Sequence, residues 1–232
     1  MMYWRRQRLC DHLAILQEPY LGQVLSGRKT IECRLTRNRI PPFGQVIEGD
    51  RIMLKRSSGP VMAVARVREA MCVEVRDRHE LGRLKQQYND AIGATADYWR
   101  SRWDHPYLSL VSLDRVGAVH DVTPPVRSSG RAWFLLDAGQ FPAAMLEVSE
   151  SSNRNRYLSV AEADRDLFPE GDFDILVGDE VVRTSLRAGH FRWRGWGQWL
   201  ERQKLEVGDH VWAVRQRNRR FEIVVPRRDV SA

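Results

Sequence analysis

The Gly-Asp pairs at 49–50, 178–179 and 208–209 each adjoin a short run of β-branched and apolar residues. This punctuation limits the chain to short strands joined by tight turns. Gly178-Asp179 lies between the apolar runs 173–177 and 180–186, which reads as a two-residue hairpin. Gly49-Asp50 launches a strand at 51–55, and Gly208-Asp209 turns into a closing hairpin of 211–215 with 221–225. The same patterning predicts strands at 12–17, 30–36, 107–122, 132–136, 144–148 and 157–160. A longer β-rich run spans 61–75, with a bend or break expected near Glu69-Ala70.

Helices fall between these strands. Pro19 suits a first helical turn, Leu21, Val24 and Leu25 share one face, and Gly27 suits the stop. Asp77 and Glu80 resemble a capping pair ahead of Leu81, Leu84, Tyr88 and Ile92, and a second short helix carries Tyr98, Trp99 and Trp103. Ser159 and Glu162 are placed to cap a helix through Phe168 to Pro169, while 149–156 reads as a polar loop. Trp196, Trp199 and Leu200 mark one face of a last short helix. The expected class is α+β, mainly β: two small β-barrels in series, with a boundary at 138–142.

Charge narrows the partners. The chain of 232 residues carries a formal net charge of +7. Arg5, Arg6, Arg8, Arg28, Lys29, Arg34, Arg37 and Arg39 face only Asp11, Glu18 and Glu32 in the first 39 residues. The stretches 187–194 and 215–220 contain arginines and no acids. Arginine's planar fork pairs well with phosphate and guanine edges, although a solvated basic surface has the same composition. Cys10, Cys33 and Cys72 are isolated and odd in number, so free thiols and a cytoplasmic setting are expected. No apolar run approaches the roughly 18 residues that span a bilayer, and the basic start lacks the apolar stretch of a secretory signal. His12, His79, His105, His120, His190 and His210 are scattered, so neither a metal nor another cofactor is expected.

The segment from Gly27 to Arg34, GlyArgLysThrIleGluCysArg, concentrates the chemistry of the first half. Gly22 and Gly27 ahead of Lys29-Thr30 imitate a phosphate-binding loop, but Arg28 intervenes and the glycines bracket a helix end instead of linking strand to helix. On a strand, Glu32 and Arg34 share a face, so a carboxylate beside two cations could orient them and accept a base N–H, with Lys29 and Arg34 meeting phosphate. The same three residues would also suit an ordinary surface ion pair worth under about 1 kcal/mol. With ProTyr at 19–20 and IleGluGlyAspArgIle at 47–52, the segment resembles the ASCH domain family of the PUA-like superfamily over about 12–137. The resemblance implies a PUA-like barrel whose cleft, lined by Lys29, Glu32 and Arg34, holds a nucleotide or nucleic acid. Some members resemble small hydrolases of a modified cytidine that use a lysine and a threonine here, and others are linked to RNA cleavage. This chain has Glu32 where the second hydroxyl residue would fall, and it shows no nucleophile–base pair.

The second half, over about 142–227, resembles the plant "B-three" DNA-binding pseudobarrel, a fold shared with recognition domains of certain restriction endonucleases. The resemblance rests on ArgTyrLeuSerVal at 156–160, LeuPhePro at 167–169, ArgGlyTrpGlyGlnTrpLeu at 194–200, LeuGluValGlyAspHisVal at 205–211 and PheGluIle at 221–223. It implies two arms that clasp a DNA major groove. One would carry Ser152, Asn153, Arg154, Asn155 and Arg156, and the other His190, Arg192 and Arg194. The expectation is a non-catalytic binder of double-stranded DNA with the first cleft reading a nucleotide or modified base. The alternatives are an ASCH-type hydrolase of a modified nucleoside or RNA, with Lys29 and Glu32 in its active site, and an RNA-binding protein.

Overall fold

The computed structural model describes residues 9–125, 130–155 and 157–227. They form two compact units, one of residues 9–116, 125 and 130–138, the other of Gly117–Pro124 and Gly139–Arg227. Among the described residues no helix is long and apolar enough to cross a membrane.

The first unit is an open, half-barrel sheet of six strands in the order β2-β5-β4-β3-β1-β6. These are β1 (Asp11–Leu16), β2 (Ile31–Thr36), β3 (Arg51–Arg56), β4 (Val61–Glu74), β5 (Tyr107–Ala118) and β6 (Trp133–Leu135). β1 and β3 run parallel, with His12 opposite Ile52 and Leu16 opposite Arg56. The connection between them holds α1 (Tyr20–Ser26) and β2, as parallel neighbours require a crossover. Ile52, Met53 and Leu54 on β3 are all fully buried, so this inner strand reads as a continuous apolar run and not as an alternation.

β4 does not break at Glu69-Ala70 but continues to Glu74. The change in its pattern marks a passage between cores. Ala63, Ala65 and Val67 pack with Leu21, Val24 and Trp133, whereas Met71 and Val73 pack against Ile31, Leu81 and Trp99. Two helices cover that second cluster, α2 (Arg78–Ile92) and α3 (Ala96–Arg100). The Asp77 side chain accepts the Glu80 N–H, and Glu80 accepts the Arg76 N–H in return, a variant of the expected capping box. Trp103 lies beyond α3, exposed beneath the Arg78 guanidinium at 3.6 Å.

The second unit is a closed barrel in the order β10-β11-β8-β7-β12-β13-β9. Its strands are β7 (Ala143–Glu147), β8 (Tyr157–Val160), β9 (Asp172–Val177), β10 (Glu180–Arg187), β11 (His190–Arg192), β12 (His210–Arg215) and β13 (Phe221–Val224). A closed ring with an odd number of strands cannot alternate direction all the way round. The parallel pair here is β13 with β9. Glu180 pairs with Val177, so Gly178-Asp179 forms the expected two-residue turn. Phe173, Phe191, Phe221 and Trp196 fill the interior, and the Trp196 indole N–H donates to the Phe191 carbonyl at 3.2 Å. Trp196, Trp199 and Leu200 of α5 (Trp196–Arg202) all point into that core.

Two local expectations are corrected. Segment 149–156 is not a plain loop, because Glu150–Asn155 form helix α4. Ser149 Oγ accepts the Ser152 N–H at 3.2 Å and Ser152 Oγ accepts the Ser149 N–H at 3.0 Å, a reciprocal cap that starts the helix. Glu162–Leu167 form a 3₁₀ helix without a side-chain cap, since the Ser159 hydroxyl is instead bonded to His190 Nδ1 at 3.2 Å.

Candidate functional site

The cleft of the half-barrel begins at the end of α1. Gly27 holds φ at 87°, the left-handed conformation that ends a helix and that other residues adopt only with strain. The chain then turns into β2, pinned by Lys29 N–H to the Gln23 carbonyl and Thr30 N–H to the Ala91 carbonyl, at 3.1 and 2.9 Å. This delivers Lys29, Glu32 and Arg34 to one cavity of about 560 Å³.

The structure brings these three expected residues together as one ion-pair chain. Glu32 Oε2 lies 3.3 Å from Lys29 Nζ, and Glu32 Oε1 lies 2.7 Å from Arg34 Nε. Lys29 is only 3% exposed and also donates to the carbonyls of Ile31 at 2.8 Å and Ile92 at 2.9 Å. Two of the three ammonium N–H groups thus go to backbone carbonyls, and the Glu32 carboxylate lies at ion-pair distance. Its geometry is therefore that of a buried anchor for Glu32, in place of the phosphate contact expected from sequence. Arg34 donates from its second terminal nitrogen to the Ile15 carbonyl at 2.8 Å and rests 5.7 Å from the Trp133 ring.

Sequence reasoning missed most of the walls. Tyr20, Tyr98, Arg102 and Arg131 also line the cavity. The Tyr98 hydroxyl donates to the Cys33 carbonyl at 3.1 Å, and its ring meets that of Tyr20 edge-on at 6.3 Å. Burial raises the Tyr98 phenol well above its ordinary value. Burial likewise pushes the Cys33 thiol up to about 11, so it stays protonated at neutral pH. Tyr20 was flagged by the Pro-Tyr pair. Tyr98, Arg102 and Arg131 enter through chain folding from distant positions and leave no local signal. Among the described cleft residues, no hydroxyl or thiol is hydrogen-bonded to a carboxylate, amine or imidazole. Among the described residues there is also no cluster of three or more His, Cys, Asp or Glu side chains able to hold a metal.

The second set of expected residues divides. Ser152 is fully buried and its hydroxyl is committed to the α4 cap, so it is unavailable to a nucleic acid. Asn153, Arg154 and Asn155 fall in α4, and their side chains, like the whole of Arg156, lie outside the described residues. His190, Arg192 and Arg194 occupy or follow β11. His190 pairs with Ser159 and Arg187, and Arg192 pairs with Tyr157, which places their side chains on the outer face of the sheet. The His190 ring packs on Tyr157 at 4.1 Å. Arg187, Arg192 and Arg194 are exposed, and among the described residues none of them has a carboxylate partner. Gly189, at φ 78°, makes the intervening turn with Arg165 packed against it so closely that a Cβ would meet its guanidinium.

An open half-barrel with a charged, aromatic-walled cleft, followed by a closed barrel with an arginine-bearing outer face, defines a two-module architecture. The family model of the ASCH domain matches residues 15–111. The crystal structure of ASCH from Zymomonas mobilis is similar at 18% identity and a TM-score of 0.36, covering 45% of this chain and 66%, just under two thirds, of that one. A point mutant of the same Zymomonas mobilis protein gives 15% identity and a TM-score of 0.40, covering 55% and 88%. A protein from Enterococcus faecalis V583 gives 15% identity and a TM-score of 0.32, covering 43% and 70%. No curated protein matches the chain.

Proposed function

We propose that the protein is a non-catalytic nucleic-acid-binding protein, which holds duplex DNA on the outer face of its closed barrel and reads a nucleotide or modified base in its half-barrel cleft. The observation that carries this reading is the group Arg187, Arg192 and Arg194, standing in solvent without carboxylate partners among the described residues. Other exposed arginines are held by carboxylates, Arg183 by Asp174 and Arg39 by Glu74 among them. Guanidinium groups without carboxylate partners beside the tilted Tyr157–His190 ring pair supply phosphate contacts and base-edge donors. The cleft adds the depth and the aromatic walls that an extruded base requires.

Lys29 and Glu32 serve this reading as an ion pair, with the lysine donors spent on backbone carbonyls. A competition assay with duplex DNA, single strands and structured RNA at near-physiological salt tests it. The expected result is that duplex DNA competes best. Structured RNA as the stronger competitor overturns the choice of DNA.

A further inference from the structure

We infer that the cleft selects guanine, held with its pairing edge on Glu32 and its phosphate toward Arg131 at the mouth. This deepens the proposed function and rests on the cleft being a nucleotide site.

The floor of the cleft has one acid, with a cation at ion-pair distance from each of its oxygens. Arg34 Nε lies 2.7 Å from Oε1 and Lys29 Nζ lies 3.3 Å from Oε2, both as ion-pair contacts. A carboxylate offers about four lone-pair sites, so each oxygen retains acceptor capacity after one cation contact. The carboxylate cannot rotate away without breaking two ion pairs in a site where Lys29 and Glu32 are 3% and 5% exposed. Ionised between these cations, it presents a pair of acceptors and no donor.

The four base edges differ sharply toward such a group. Guanine offers two adjacent donors, the ring N1–H and the exocyclic N2–H, matched to the two oxygens of one carboxylate. Adenine and cytosine offer one amino group beside a ring-nitrogen lone pair, which a carboxylate repels. Uracil and thymine offer one N–H between two carbonyl oxygens and are disfavoured most. A site built to satisfy hydrogen-bonding groups rejects analogues that leave buried polar atoms unpaired.

The walls and mouth fit the remainder of a nucleotide. Tyr20 and Tyr98 supply ring faces for a base, and the 560 Å³ cavity is in the usual range for a small-molecule site. Arg131 is exposed at the rim, and Arg102 lies 4.5 Å over the Tyr98 ring. Lys29, Arg34, Arg102 and Arg131 against Glu32 leave the cavity cationic. Because Lys29 and Arg34 are already paired with Glu32 at the floor, Arg131 and Arg102 are the groups left to meet a phosphate.

The test is calorimetric titration of the full chain with GMP, IMP, AMP, CMP and UMP. GMP should bind about tenfold or more tightly than UMP, the discrimination of one bidentate pair. IMP, which lacks the N2 amino group, should fall between them. Glu32→Gln, which presents one donor and one acceptor, should bring the GMP-to-UMP ratio close to one by admitting uracil. If that variant fails to melt cooperatively, the wild-type ranking decides alone. UMP binding as tightly as GMP overturns the guanine assignment and leaves the cleft as a nucleotide site. Binding of none of the five overturns the cleft reading itself.

Discussion

The Trp133 indole N–H donates to Nδ1 of His12 at 3.2 Å, across 121 positions of sequence, and so fixes which imidazole nitrogen carries the proton. Nδ1 is the acceptor, so Nε2–H is left to donate to Asp50 Oδ2 at 2.9 Å. Asp50 also accepts the backbone N–H groups of Cys10 and Ile47 at 2.8 and 2.9 Å. One fully buried carboxylate thereby ties β1 to the turn that launches β3, and the same histidine ties β1 to β6.

Burial alone would raise the Asp50 carboxyl, but its bonds from His12, Cys10 and Ile47 outweigh burial and hold it below its ordinary value of 3.8. The unfolded chain therefore takes up this proton at a higher pH than the folded one. The stabilisation is complete above the unfolded value and is lost as pH falls through the lower folded one. Urea unfolding at pH 7 and pH 3 checks this. Asp50→Asn should be less stable than wild type at pH 7, with the gap narrowing at pH 3; an equal gap at both values counts against it.

Breaking the buried ion-pair chain should be costly. Lys29→Ala leaves Glu32 short of one cation and the Ile31 and Ile92 carbonyls short of a donor. Loss of one partner from a buried pair costs about 3–5 kcal/mol. Denaturant midpoints of Lys29→Ala and Glu32→Ala should show that loss. A change under about 1 kcal/mol would mean the site is wetter than its burial indicates.

Ser152→Ala separates capping from DNA contact. Removing one half of the reciprocal Ser149–Ser152 cap should cost about 0.5–2 kcal/mol. Duplex affinity, measured by fluorescence anisotropy well below the melting temperature, should not change. A tenfold loss of affinity at intact stability would return Ser152 to the DNA interface.

Much of the fold was legible because its signals are local. Gly178-Asp179 and Gly208-Asp209 announce their hairpins, Asp77 announces α2, and Gly27 ends α1. Helix α4 was not legible, since its six residues are all polar, carry no apolar period and owe their start to a hydrogen-bonded cap. The continuity of β4 past Glu69-Ala70 was not legible, because its two halves serve different cores. At the site, the spacing of Glu32 and Arg34 on one strand was readable, and their pairing follows from it. The role of Lys29 was not, because the Ile92 carbonyl that occupies it lies 63 positions away. The outward turn of His190 and Arg192 likewise depends on strand register, which only the closed barrel defines.

The central claim, that the closed barrel grips nucleic acid through its outer face, is tested most directly by the salt dependence of duplex DNA binding. Wild type should lose affinity steeply with rising salt. The triple variant Arg187→Ala, Arg192→Ala, Arg194→Ala should flatten the slope of log K against log salt by about 2 to 3, near 0.9 for each phosphate contact removed. An unchanged slope and affinity in a folded triple variant would contradict the account.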